Sequence, residues 1–129
     1  MLQGIETIVL SQNKLTGRIP NDIFGLSRLR TLDLSDNDIE GRLSPELVVL
    51  TNLEYLDLSE NRLLGLIPGR IGDLTNLVEL RIANSGSLGG ELPSSLGQLS
   101  SLEVLEMPGN SLNLLLPTEL GLLSNLRKF

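Results

Sequence analysis

The chain has 129 residues, a formal net charge of −6, 40% hydrophobic residues and no Cys, His or Trp. Those totals remove disulfides, thiolate nucleophiles, imidazole bases and the usual zinc and iron ligands, so no metal or cofactor is expected. The acidic balance argues against nucleic acid, which needs clustered Lys and Arg; no apolar run approaches the roughly 18 residues that span a bilayer, and Met1-Leu2-Gln3-Gly4 does not open a signal peptide.

One phrase then recurs along the chain. Ile5-Glu6-Thr7-Ile8-Val9-Leu10-Ser11-Gln12-Asn13 returns 24 residues later as Leu29-Arg30-Thr31-Leu32-Asp33-Leu34-Ser35-Asp36-Asn37, and again as Leu53 to Asn61. A fixed period of this size means one unit copied and stacked. The repeats run 5–28, 29–52, 53–76, 77–101 and 102–125, with 126–129 starting a sixth. Positions 4 and 6, Leu56 and Leu58 in the third copy, lie two apart, so in a strand they share a face while Tyr55, Asp57 and Ser59 take the other. Asn13, Asn37, Asn61 and Asn110 fall at position 9, where the chain leaves the strand. Their amides suit backbone groups of the turn that would otherwise be buried without partners, and loss of one predicts destabilisation of roughly 1–3 kcal/mol.

The second half of each unit is as regular. Leu15-Thr16-Gly17-Arg18-Ile19-Pro20 is matched by Leu63 to Pro68 and Leu88 to Pro93, while repeat two has its proline one place late, at Pro45. Gly suits positive φ or close approach, and Pro is expected at the first position of a short helical turn. The pairs Ile23/Leu26, Leu47/Leu50, Ile71/Leu74, Leu96/Leu99 and Leu120/Leu123 are three apart, which predicts a one-sided turn of 3-10 type. Repeat four carries one extra residue within Asn84-Ser85-Gly86-Ser87; either Asn84 replaces the missing asparagine or the turn bulges around Gly86. In repeat five the glycine position is Leu114, and Leu114-Leu115-Leu116 with Leu64 and Leu66 marks an apolar flank that reads as scattered surface leucines or as a contact strip.

The composite Leu-x-x-Leu-x-Leu-x-x-Asn-x-Leu-x-Gly-x-Ile-Pro resembles the leucine-rich repeat family in its plant-type 24-residue subclass. That resemblance implies an α/β repeat fold, a right-handed solenoid with a parallel concave β-sheet, a minor second sheet near Gly-x-Ile-Pro, and short 3-10 helices on the convex side. It also implies a recognition module of the kind found in receptor-like kinases, receptor-like proteins and inhibitors of cell-wall-degrading enzymes, extracellular or membrane-linked in the parent protein. The missing cysteine caps and Asn-x-Ser/Thr sequons pull toward an intracellular or atypical member. The expected array, 1–129, has Leu2 in phase before Ile5 and no cap at either end, and an open edge at Phe129 favours end-to-end association.

No phosphate-binding loop or nucleophile elbow appears, so an enzyme is not expected. The outward strand positions form ladders across coils. Nine of the sixteen acids fall there, against Arg30 and Arg81, while Lys14, Arg18, Arg28, Arg42, Arg62 and Arg70 fall on turns, edges and back. That segregation suits a basic protein or peptide partner, although Asp33 and Asp57 also match the family consensus. Tyr55, the one aromatic on the face, is the candidate anchor, and Arg30, Asp33, Glu54, Asp57, Glu79 and Arg81 surround it. The reading is a protein- or peptide-recognition segment of a larger receptor-like or secreted protein; the alternatives are an inhibitor of a cell-wall-degrading enzyme, an intracellular scaffold or a repeat without a specific ligand.

Overall fold

A computed structural model of the protein describes residues 4–113 and 115–129. Leu2 and Leu114, both used in the spacing argument, lie outside them. Each coil contributes two strands and one 3-10 helix. The strands in chain order are β1 (Thr7–Val9), β2 (Thr16–Gly17), β3 (Thr31–Asp33), β4 (Asp38–Arg42), β5 (Tyr55–Asp57), β6 (Arg62–Leu66), β7 (Glu79–Arg81), β8 (Ser87–Gly90), β9 (Val104–Glu106) and β10 (Ser111–Leu112). The helices are η1 (Asn21–Gly25), η2 (Pro45–Val49), η3 (Ile71–Asp73), η4 (Ser94–Gln98) and η5 (Thr118–Leu122).

The odd-numbered strands make one parallel sheet in the order β1-β3-β5-β7-β9, and the even-numbered strands make a second. The second sheet is not minor: it has as many strands as the first, and longer ones in its middle. In the first sheet partners such as Leu32 and Leu56 are 24 apart. In the second, Gly41 meets Leu63, a separation of 22, so each of its strands is displaced by two residues relative to the repeat. The extra residue of repeat four is absorbed before β8, whose Leu88 faces Gly65 at a separation of 23.

The core consists of stacked columns of like residues. Leu32, Leu56 and Leu80 are fully buried, and Leu34, Leu58 and Ile82 beside them are at most 4% exposed. Ile39, Leu63 and Leu88 close the second-sheet side, and Leu47, Ile71 and Leu96 close the helical side. Burying one such side chain contributes about 1.5–3 kcal/mol, so a regular column offsets the cost of ordering very short strands. The columns loosen in the first coil, where Leu10 is 45% and Leu15 38% exposed.

The prolines do not open the helices, with one exception. Pro20, Pro93 and Pro117 occupy the cap, with φ of −70°, −64° and −63° and extended ψ, and only the displaced Pro45 sits inside its helix, behind a Ser44 cap whose hydroxyl accepts from Glu46 N–H. A ring-fixed φ serves the extended cap as well as the first helical turn. At η3, Pro68 lies further upstream, and its carbonyl accepts from Ile71 N–H at 2.9 Å. Position 8 is left-handed in every coil: Gln12, Asp36, Glu60 and Asn84 have φ between 48° and 57°, and Gly109 has 69°.

Candidate binding face

The position-9 asparagines act as directional clamps. Asn37 Oδ1 accepts from Leu15 N–H at 3.0 Å, and its Nδ2 donates to the carbonyls of Leu10, Leu34 and Ser35. Asn61 repeats the pattern on Ile39 N–H and the carbonyls of Leu34, Leu58 and Ser59. Each therefore holds its own turn and the coil before it. Asn110 accepts from Ser85 N–H and donates to Ile82 and Met107. Among the described residues Asn13 bonds only the local carbonyls of Leu10 and Ser11, and it is exposed. In repeat four Asn84 does not fill the gap. Ser85 does, fully buried, with its hydroxyl donating to Leu58 and Ala83 carbonyls, while Gly86 takes the added turn at φ 73°. Among the described residues no buried side-chain N or O lacks a partner.

A second set of clamps escaped the sequence reading. Asn52, Asn76 and Asn125, last in their repeats, donate to the carbonyls of Ser27, Thr51 and Ser100 in the preceding coil, at 2.7–2.8 Å. Their signal was the recurrence of Asn immediately before the first leucine of the next strand.

The first sheet turns its outward residues to one face, and these split into two groups. Arg30 bridges Glu54 and Glu6, the latter at 3.9 Å. Arg81 bonds Glu79 at 2.8 Å and also Glu106, whose other oxygen meets Lys128 Nζ at 2.6 Å. Glu106 is accordingly held below the usual carboxylate range, first by the Lys128 hydrogen bond and then by the Arg81 charge. The Glu79 hydrogen bond raises Arg81 further above its ordinary value. Both candidate arginines are thus occupied by neighbouring carboxylates.

Asp33, Tyr55 and Asp57 form the other group. Asp33 and Asp57 are register partners on β3 and β5. Tyr55 hydroxyl donates to Asp57 Oδ2 at 3.3 Å, while Asp57 Oδ1 accepts from Ser59 N–H and Asp33 Oδ1 from Ser35 N–H and hydroxyl. Among the described residues neither aspartate has a Lys or Arg within 4.0 Å. The Tyr55 phenol is pushed up to about 12, first by burial and then by the charges of Asp57 and Asp33. Asp57 is only 9% exposed, so the face is less solvated there than its sequence suggests.

The sequence matches the leucine-rich repeat region family over residues 8–129. The chain belongs to the leucine-rich repeat family. Solved structures assign this repeat array to the plant type. It superposes on the plant peptide hormone receptor RGFR1 in complex with RGF2 with a TM-score of 0.94 and 40% identity, over 96% of this chain and 20% of that one. The Arabidopsis receptor kinase HAESA ectodomain, in complex with an N-terminally extended IDA peptide hormone, gives 0.93 and 34%, over 99% and 21%. The BIR3–SERK2 complex from Arabidopsis thaliana gives 0.83 and 32%, over 95% and 66%. The array thus spans about a fifth of the two hormone-receptor chains. No curated protein matches the sequence. Among the described residues no helix is long and apolar enough to cross a membrane, and no three carboxylates converge as a metal site.

Proposed function

We infer that the array is a protein- or peptide-recognition segment of a larger receptor-like or secreted protein, extracellular or membrane-linked, and that the outward face of its first sheet takes a basic partner. The carrying observation is the Asp33–Tyr55–Asp57 cluster: two carboxylates with no Lys or Arg within 4.0 Å among the described residues, beside a half-buried aromatic. A Lys or Arg side chain arriving there gains charge-assisted hydrogen bonds from both carboxylates and the face of the tyrosine ring. The Arg30–Glu54 and Arg81–Glu79 pairs flank the cluster and fix its edges. Likeness to ectodomains solved with peptide hormones supports both the binding role and the extracellular setting.

The test is calorimetric titration with a lysine- and arginine-rich dodecapeptide and its glutamate-substituted counterpart. The basic peptide is expected to bind in a salt-sensitive manner. Tyr55→Ala, and Asp33→Asn combined with Asp57→Asn, should weaken it at least tenfold, whereas Arg81→Ala, which frees the Glu79 and Glu106 carboxylates, should not weaken it. Equal affinity for both peptides, or no loss in the Tyr55 and Asp variants, would rule the reading out.

A further inference from the structure

The flank beside the second sheet carries a row unrelated to the face just described. The residue after the positive-φ glycine reads Arg18, Arg42, Leu66 and Glu91 in coils one to four, and Leu115 holds the same place in coil five, where the sequence has Leu114 for the glycine. Coils one, two and four place a charge there; coils three and five place leucines that are 64% and 75% exposed. The stems lie flat on the next coil. A β-carbon built on Gly41 would stand 2.9 Å from Arg18 Cγ, one on Gly65 would stand 3.0 Å from Arg42 Cγ, and one on Gly90 would strike Leu66 Cδ2. The glycines, at φ of 90°, 89° and 76°, thus leave the row its bed.

Beneath the row runs a trough of two grooves, about 640 Å³ beside Arg42 and about 710 Å³ reaching Leu115 and Leu116, which share Leu66, Ile67 and Gly69. Its floor is apolar, with Leu43, Ile67 and Leu92 buried. Arg30, Arg62, Arg70 and Arg81 are all ion-paired, whereas among the described residues Arg18 and Arg42 have no carboxylate within 4.0 Å. Two uncommitted guanidinium groups on a chain of net charge −6 select an acidic group.

We propose that this trough docks a segment of a partner protein in polyproline II conformation, with an acidic residue at i, apolar residues at i+2 and i+5 facing the floor, and a basic residue at i+3. The spacing follows from the row. Coils stack about 4.8 Å apart, and an extended chain of polyproline II type rises about 3.1 Å per residue with three residues per turn, so i+2 and i+5 share one face while i and i+3 share the next. From between Arg18 and Arg42 to Leu66 is one and a half coils, or about two residues; from Leu66 to Leu115 is two coils, or about three. Glu91, between the leucines, meets the basic residue. The site is independent of the Tyr55 face, and its ligand carries its leading charge with the opposite sign.

The test uses ¹⁵N-labelled protein and the capped hexapeptide Asp-Ser-Leu-Lys-Ser-Leu at millimolar concentration, with amide shifts as the readout. Saturable shifts are expected at Leu66, Gly90 and Leu115, at least tenfold weaker when lysine replaces the aspartate or serine replaces the leucines. Arg42→Glu and Leu66→Ser, both at exposed positions and checked for unchanged melting, should have the same effect. Absence of shifts, equal shifts from all peptides, or shifts confined to Tyr55 and Asp57 would overturn the proposal. So would concentration-dependent broadening of the flank without peptide, which would assign the trough to a second copy.

Discussion

Replacing Asn61 by alanine removes four hydrogen bonds from a side chain only 7% exposed. The losses are unequal. Leu34 carbonyl keeps Asn37 Nδ2 at 3.1 Å, and Leu58 carbonyl keeps the Ser85 hydroxyl at 3.2 Å. Ile39 N–H, buried between coils, loses its asparagine acceptor. A stranded buried donor costs about 1–3 kcal/mol, and the lost clamping bonds add about 1 kcal/mol, for a total of about 2–4 kcal/mol. For a chain of this length that corresponds to a fall in Tm of roughly 8–15 °C. The internal control is Asn13→Ala, which removes two local bonds at an exposed turn and should cost less than about 1 kcal/mol. Urea and thermal unfolding of both variants by circular dichroism, with amide exchange at Ile39, separates the two. Equal losses at Asn13 and Asn61 would show that the asparagine serves its own turn and not the coil before it.

Tyr55 is the only tyrosine, so absorbance reads its titration directly. Its midpoint should lie near 12 and fall toward 10.0 in Asp57→Asn, and a midpoint already at 10.0 would contradict the burial and charge seen at the face. Because the folded value is the raised one, both states keep the phenol protonated below pH 10. As pH climbs from there to about 12 the unfolded chain ionises first, so that contribution to stability declines across this window. Lys128→Ala should let the Glu106 carboxyl titrate at higher pH by carbon-detected NMR; no movement would mean that the Lys128 side-chain ammonium is not its partner. Gly72→Ala drives a methyl into the Ser95 carbonyl of the next coil and should cost about 1–3 kcal/mol, whereas Gly69→Ala, facing open space, should be near neutral. Similar melting of those two variants would refute the close backbone contact between η3 and η4.

Positions 1, 4 and 6 were legible in the sequence because burial depends on strand alternation, which a single copy displays and the repeats confirm. Leu34, Leu58 and Ile82 stand where that alternation places them. The second sheet was under-read because its strands shift by two residues per coil, a displacement that no single repeat encodes. The same limit hid the pairings of Arg30 and Arg81. Sequence shows that both lie on an acidic face, but not that their guanidinium groups reach across one coil to carboxylates 24 or 25 residues away.

Repeat four shows how local chemistry and stacking trade against each other. A serine at position 9 cannot supply both the acceptor and the two amide hydrogens of asparagine. Ser85 instead donates its one hydroxyl proton toward the carbonyls of Leu58 and Ala83, and its own N–H turns to Asn110 in the next coil. The added residue then takes a left-handed turn at Gly86, where a β-carbon would meet nothing closer than 3.7 Å. The irregularity ends there, because by Leu88 the chain is again fully buried and paired with Gly65. What varies freely is therefore what points outward, at Tyr55 on one face and at Leu66 on the flank. The core columns need only similar apolar side chains, so apart from the buried Ser85 what distinguishes one coil from the next lies mainly on surfaces that can meet another molecule.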